Sequence, residues 1–435
     1  MPKVIVSVLK HDFQETLMPS GELEVSLNAL ASAKEKLLQA SGDALYSTQA
    51  AFMHSPFDQE VIDKVLIHAR EKRALNPAIV FLIGIGGSNL GALAVFRSLY
   101  GGLFNDLAGQ TRFYCADTTD DLLLGNLLQC AEEVLKSGRE MVIIIASKSG
   151  TTLETLMNAS FFIELLKKYR SDYSRFVIVL TEKESSLGSY AKEHKMLCID
   201  VPKNVGGRYS IFTATGLFPL AMLGIDIKAL CSGAHTSLFD EAASSAAVMY
   251  YYYKKNSPLY NIFLSSPRFF ELGLWYRQLI GESLGKRFDL AGKRVEAGIT
   301  PIVSTATADL HSVGQLYLGG PRDKLTLFIT DANDKPGAQS LALKNSVGLL
   351  PDYLEKKSIE EIKDSIMRGV MHAYKSDGRP FVAVDLSPVT PEALGAFLYA
   401  KMIEIVCLGF LMHVDPFDQP QVEEYKRETQ RILKS

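Results

Sequence analysis

The chain has 435 residues, 47% of them hydrophobic and 22% charged, with 46 Lys and Arg against 49 Asp and Glu. That length exceeds one ordinary core and predicts two or three domains. A net charge of -3 argues against a large nucleic-acid footprint, though it leaves room for local basic patches, so any anion must be held by placed groups rather than by a bulk field.

Residues 1–55 read as a mixed, partly helical prelude. Its apolar start, Met1 to Leu9, is too short before Lys10, His11 and Asp12 for a secretory signal. Five cysteines (Cys115, Cys130, Cys198, Cys231, Cys407) are scattered without a CxxC pair, and four sit in apolar stretches, as free thiols of a reducing compartment would. The expectation is a cytoplasmic protein.

From Ala78 the pattern changes to short apolar runs alternating with helical ones. Strands are expected at Ile79–Ile83, Arg112–Cys115, Met141–Ala146, Phe176–Leu180 and Met196–Ile199, with helices such as Asn89–Leu99, Asp120–Leu135 and Leu153–Tyr169 between them. Continuous β-branched runs bounded by helices mark a parallel sheet covered on both faces. Residues 56–205 therefore read as a first α/β domain. The boundary is expected in the stretch Pro202–Gly207 or in the helices just beyond it. The rhythm then resumes over 206–420, a second α/β domain, with strands at Leu259–Leu264, Pro301–Val303, Leu325–Ile329 and Phe381–Val384. An apolar segment, Ala393 to Val414, carries Lys401 and Glu404 at i,i+3 spacing, which favours a buried helix over a membrane span. Residues 421–435 form a polar C-terminal helix.

Three segments ask for the same kind of ligand. They are Gly84-Ile85-Gly86-Gly87-Ser88, Ser147-Lys148-Ser149-Gly150-Thr151-Thr152 and Gly206-Gly207-Arg208-Tyr209-Ser210. Glycines let a backbone approach a ligand, and hydroxyls and N–H groups at a helix start cradle an anion. The pattern suits a phosphorylated small molecule. A dinucleotide fingerprint would need a third glycine where Asn89 stands, and Gly87 with Ser88 suits one phosphate better than a pyrophosphate. Gly281-Glu282-Ser283-Leu284-Gly285-Lys286 is one residue short of a P-loop and follows no strand. No His, Cys and Asp grouping has metal-ligand spacing.

Taken in order, these segments resemble the glucose-6-phosphate isomerase family, in its compact bacterial form. The resemblance runs from about Ile79 to Lys426. It rests on the three loops, on Gln278 with Glu282-Ser283-Leu284-Gly285-Lys286, on His311, and on Phe417-Asp418-Gln419 followed by Val422-Glu423 and Lys426. Departures are modest. Lys203 stands where an acidic or small polar residue is usual, Ser149 where threonine is more frequent, and Gln421 where glycine is common.

The resemblance implies two α/β sandwiches and an enzyme that needs no metal or organic cofactor. An aldose–ketose isomerisation moves a proton between C1 and C2, and a carboxylate of suitable pKa can take it and return it. By resemblance Glu282 is that base, Arg208 stabilises the cis-enediol charge, and His311 and Lys426 serve ring opening. His311 reaches the site from a partner subunit, which implies a homodimer. Gly87, Ser88, Ser147, Lys148, Ser149 and Thr152 hold the phosphate, with a helix expected to start near Thr151. Gln278 and Gln419 hold hydroxyls. The residues themselves add that Gln278, Glu282 and Lys286, at i, i+4 and i+8, would share one helix face.

Read without the resemblance, Glu282 with Lys286 can be a solvated charge pair, Arg208 a turn arginine, His311 a helix-terminal residue, Lys426 a solvated lysine, and Ser147–Thr152 a capping cluster. Two other functions stay open: an isomerase that also accepts mannose 6-phosphate, and a sugar-phosphate sensing module. A sensor needs the loops but has no use for a carbon base.

Overall fold

β-Branched runs without polar interruption can only be satisfied between two apolar layers, and the computed structural model, which describes residues 10–332, 341, 343 and 348–435, places them there. The apolar start at residues 1–9 lies outside the described residues. The prelude contributes one short strand, β1 (Lys10–Asp12), whose partner belongs to the second sheet below.

The chain divides into two units. The first holds residues 32–236 and Leu274–Leu279. Its sheet, in the order β3-β2-β4-β5-β6, consists of β2 (Pro77–Ile83), β3 (Arg112–Ala116), β4 (Glu140–Ala146), β5 (Val177–Thr181) and β6 (Leu197–Asp200). All of its pairings are parallel, with Ile83 opposite Ile145 in the central pair. Phe81, Ile143, Ile145 and Val179 pack with Phe162 and Leu166 of the helix Leu153–Tyr169, while Val80, Leu82, Ile144 and Ile178 are buried on the opposite face. Each such side chain contributes about 1.5–3 kcal/mol of burial. Phe176, expected in a strand, closes a 3-10 turn instead, and β5 starts one residue later.

The second unit holds residues up to 31, Ser237–Gly273 and Ile280–Ser435. Its sheet has the order β1-β12-β11-β7-β10. β7 (Leu259–Leu264), β10 (Thr300–Thr305), β11 (Lys324–Thr330) and β12 (Phe381–Asp385) run parallel, and β1 is an antiparallel edge on β12. A separate hairpin pairs β8 (Lys286–Phe288) with β9 (Arg294–Ala297). Phe263, Phe328, Tyr374 and Phe381 form an aromatic core over this sheet. The apolar helix Pro391–Leu411 is buried along nearly its whole length, and inside it Lys401 Nζ lies 2.6 Å from Glu404 Oε2. Pairing lets two charges stay where an isolated one could not.

The domain bounds differ from those expected. The break falls between Thr236 and Ser237, not at 205–206, because the helix Ala214–Met222 is wholly buried and packs on the helix Gln59–Arg73 of its own unit. The first break falls at Ala31–Ser32 rather than at 55–56. The helix Val422–Lys434 counts with the second unit and is exposed along its length. Of the cysteines, Cys231 and Cys407 are buried, while Cys115, Cys130 and Cys198 are only partly so.

Candidate active site

Two of the three glycine and hydroxyl loops meet directly. Gly84–Ser88 follows β2 and turns through a 3-10 segment, Gly86–Ser88; Gly207–Phe212 forms another. A Cβ on Gly87 would lie 2.1 Å from the Gly207 carbonyl carbon and 2.4 Å from the Arg208 nitrogen, so backbone touches backbone and no side chain fits. Ser210 Oγ ties the junction, donating to Gly207 O at 2.8 Å and to Gly87 O at 3.3 Å. Arg208 is buried, its guanidinium 5.3 Å from the centre of the Tyr209 ring. A turn arginine left in solvent is therefore not what this residue is.

The third loop, Ser147–Thr152, leaves the end of β4, beside the first: a Cβ on Gly84 would lie 2.8 Å from Ala146 O. Ser147 is buried and its Oγ lies 3.0 Å from Thr152 Oγ1. Ser149 Oγ pairs with Thr151 Oγ1 at 3.0 Å. Gly150 takes φ +68°, which brings the chain round. The helix starts at Leu153, with Thr152 as its N-cap residue; the Thr152 hydroxyl makes no cap bond and faces Ser147 instead. Lys148 Nζ donates to Lys203 O at 2.9 Å. Burial lowers the Lys148 pKa, Glu182 pulls it up, and Arg208 and Lys203 push it down again. Lys148 and Arg208 are thus within electrostatic reach of each other, with the Glu182 carboxylate also acting on Lys148.

Gln278 and Glu282 lie one turn apart on the helix Phe270–Leu284. The Gln278 amide faces the first loop, since a Cβ on Gly86 would lie 2.9 Å from its Nε2. Glu282, in the last turn, is half-buried. Lys286 does not extend that helix face. The helix stops at Leu284 with Gly285 as its cap, and Lys286 opens β8. Its ammonium folds back to the Glu282 carbonyl at 3.0 Å, to Asp418 Oδ1 at 2.9 Å and to the Asp418 carbonyl. A cation at a helix C-terminus answers the orphan carbonyls there. Lys286 thereby fastens the segment that carries Gln419 to the turn that carries Glu282. Lys286→Met is expected to cost about 1–3 kcal/mol in urea unfolding, because a part-buried acceptor set loses its buried, charged donor. It should also lower kcat/KM.

The remaining residues are exposed. His311 lies on the short helix Ala308–Ser312 beyond the carboxyl end of β10, with its side chain toward solvent. Gln419 is exposed, and Lys426 pairs with Glu423 at 2.7 Å on the exposed terminal helix. Among the described residues, no group of three or more His, Cys, Asp or Glu is arranged to hold a metal ion.

Several supports were missed in the sequence. Thr181 Oγ1 donates to Ser147 O at 2.7 Å and lies 2.8 Å from Ser185 Oγ, bracing the third loop from beneath. Asn89 Nδ2 donates to Asp117 Oδ2 at 2.6 Å behind the first. Thr181 ends β5, beside β4, and Asp117 follows β3, beside β2, so only strand order could have found them.

The first unit thus carries glycine and hydroxyl loops at the carboxyl ends of parallel strands, where such sheets gather ligands. The phosphoglucose isomerase family model matches residues 72–435. A glucose-6-phosphate isomerase of Carboxydothermus hydrogenoformans is 32% identical over 95% of this chain and 89% of its own, and one of Thermus thermophilus is 31% identical over 97% of both. Among solved structures, a hypothetical protein from Thermus thermophilus superposes with TM-score 0.84 at 27% identity, covering 98% of this chain and all of the other. A glucose-6-phosphate isomerase from Chlamydia trachomatis shares the fold, with TM-score 0.80 over 98% of this chain and 89% of that one, at 17% identity. The chain belongs to the phosphoglucose isomerase family, and it is an aldose–ketose isomerase.

Proposed function

We propose that this chain interconverts glucose 6-phosphate and fructose 6-phosphate through ring opening and a cis-enediol intermediate, serving glycolysis and gluconeogenesis in the cytoplasm. The observation that carries this reading is the Ser147–Thr152 loop, with its part-buried hydroxyl pair and Lys148 within electrostatic reach of Arg208. Ser88, Ser147, Lys148, Ser149 and Thr152 hold the phosphate, and Gly87 lets the backbone close on it. Gln278 and Gln419 position hydroxyls. His311 and Lys426 exchange protons with the ring oxygen and the anomeric hydroxyl. Glu282 then takes the C2 proton of the open aldose and returns it to C1, while buried Arg208 stabilises the enediol oxygens. The exposure of His311 suits service to the site of a second copy in a homodimer.

The test is a coupled assay on fructose 6-phosphate, with glucose 6-phosphate dehydrogenase and NADP reporting product and EDTA present. Prompt turnover is expected. Folded protein that binds the sugar phosphate without turning it over would favour the sensing module and remove the catalytic roles. Ser147→Ala with Thr152→Ala is expected to raise KM about tenfold or more with a smaller change in kcat, since the lost bonds serve substrate and transition state alike. An unchanged KM would move the phosphate elsewhere.

A further inference from the structure

The two sheets repeat one order, β3-β2-β4-β5 in the first unit and β10-β7-β11-β12 in the second. The loop after β11 is therefore the counterpart of the loop after β4, and Asp331, the first residue past β11, occupies the place of Ser147. The match extends to the neighbouring strand. β2 is followed by a 3-10 turn starting three residues past its end, at Gly86, and β7 by one at Pro267, also three residues past. Arg268 on that turn is the counterpart of Gly87.

Three elements of the second unit converge on Asp331. Ser265 Oγ, just past β7, donates to its Oδ1 at 2.6 Å. Arg268 Nη2 donates to Oδ2 at 2.7 Å, and Lys363 Nζ, from the helix Ile359–Ser376, lies 2.8 Å from the same oxygen. The carboxylate is 1% exposed, whereas Arg268 and Lys363 are 21% and 23% exposed. The cations thus remain reachable from solvent while the anion they hold does not. Asp385, at the end of β12, is turned to other donors, with Ser387 Oγ at 2.7 Å and Ser387 N at 3.2 Å.

We propose that the second unit carries an oxyanion site homologous in position to the Ser147–Thr152 loop, and that the carboxylate of Asp331 occupies it in place of a phosphoryl group. A hydroxyl, a guanidinium and an ammonium aimed at one buried point are the donor set of a small tetrahedral oxyanion. The ligand class rests on the reading of Ser147–Thr152 as a phosphate loop; the occupancy by Asp331 rests on its own bonds. Burial works against the charged carboxyl, but the bonds from Lys363 and Ser265 and the charges of Lys363 and Arg268 together hold its pKa below the usual range.

The experiment is thermal unfolding of the full chain in inorganic phosphate against sodium chloride of equal ionic strength. Asp331→Ser, which installs the residue found at the counterpart position, is expected to melt below the parent in chloride. Its melting temperature should then climb by about 4 °C or more beyond the parent's own gain as phosphate saturates. Adding Lys363→Met should abolish that extra gain. The proposal is overturned if Asp331→Ser gains no more than the parent, or if the gain survives Lys363→Met. Should Asp331→Ser not accumulate folded, Asp331→Ala empties the place of the carboxylate and removes its charge; it too must show a phosphate gain beyond the parent's, and its absence overturns the proposal. The parent reports separately on the first unit. No phosphate gain there, with a gain in Asp331→Ser, would sink the reading of Ser147–Thr152 and leave this one standing.

Discussion

Glu282→Gln is expected to lower kcat by about 10²–10⁴-fold while the affinity for an unreactive sugar phosphate changes little. The substitution keeps the shape of the side chain and its place in the last turn of the helix Phe270–Leu284, so the helix end and its Lys286 clamp persist. What it removes is the carboxylate on that turn, the group able to accept a proton from carbon. An amide has no useful basicity, and water cannot take the C2 proton and return it to C1 of the same molecule. The measurement is the coupled assay beside an equilibrium titration of the inhibitor. Retained turnover would dismiss Glu282 as the base, and joint loss of turnover and binding would reassign it to substrate holding.

Gly87→Ala is expected to reduce kcat/KM by about a hundredfold or more and to destabilise the chain by about 1–3 kcal/mol. The new methyl would stand 2.1 Å from one backbone atom and 2.4 Å from another, and neither belongs to a side chain that can swing away. The loops Gly84–Ser88 and Gly206–Ser210 must separate, and Arg208, whose nitrogen is one of the struck atoms, moves with them. A control separates this from any general effect of removing glycine. Gly125 lies in the helix Asp121–Lys136, where an added Cβ meets nothing within 4 Å. Gly125→Ala should stabilise by about 0.5–1 kcal/mol and leave turnover intact. Urea unfolding and steady-state kinetics on both variants decide the matter. Normal activity in Gly87→Ala would show that the contact between the loops does not matter to the reaction.

Much of the fold was legible because its strands satisfy their neighbours on both faces and so carry uninterrupted apolar runs. β7 and the helix Leu153–Tyr169 fall at the expected residues, and β2 and β4 differ from expectation by two residues and one at their starts. β1 was not legible. It is three polar residues on a sheet edge, Lys10–Asp12, and its identity as a strand comes from Val384 and its neighbours on β12 rather than from any alternation of its own. The division between the units lies past Pro202–Gly207 because the helix Ala214–Met222 is buried against the helix Gln59–Arg73, a contact that no local pattern shows.

Lys286 shows how periodicity misleads at a helix end. Spacing alone put it on the Glu282 face, but the chain leaves the helix at Gly285, and the lysine returns as a cap on the turn it was expected to continue. Asp331 drew no attention in the sequence, since a lone aspartate after a strand has no motif.

The sequence by itself determined that this chain makes parallel sheets, that glycines and hydroxyls gather in three short loops, and that Lys401 and Glu404 belong to one buried helix. These follow from residues within a few positions of one another, where periodicity and backbone freedom act directly. Only the tertiary structure decided that Gly87 must press on Gly207, that Thr181 braces Ser147, that Lys286 holds Asp418, and that Asp331 faces three donors. Those are meetings between chain segments tens to hundreds of residues apart. Strand order and hard-core packing fix them, and neither is written in any local pattern.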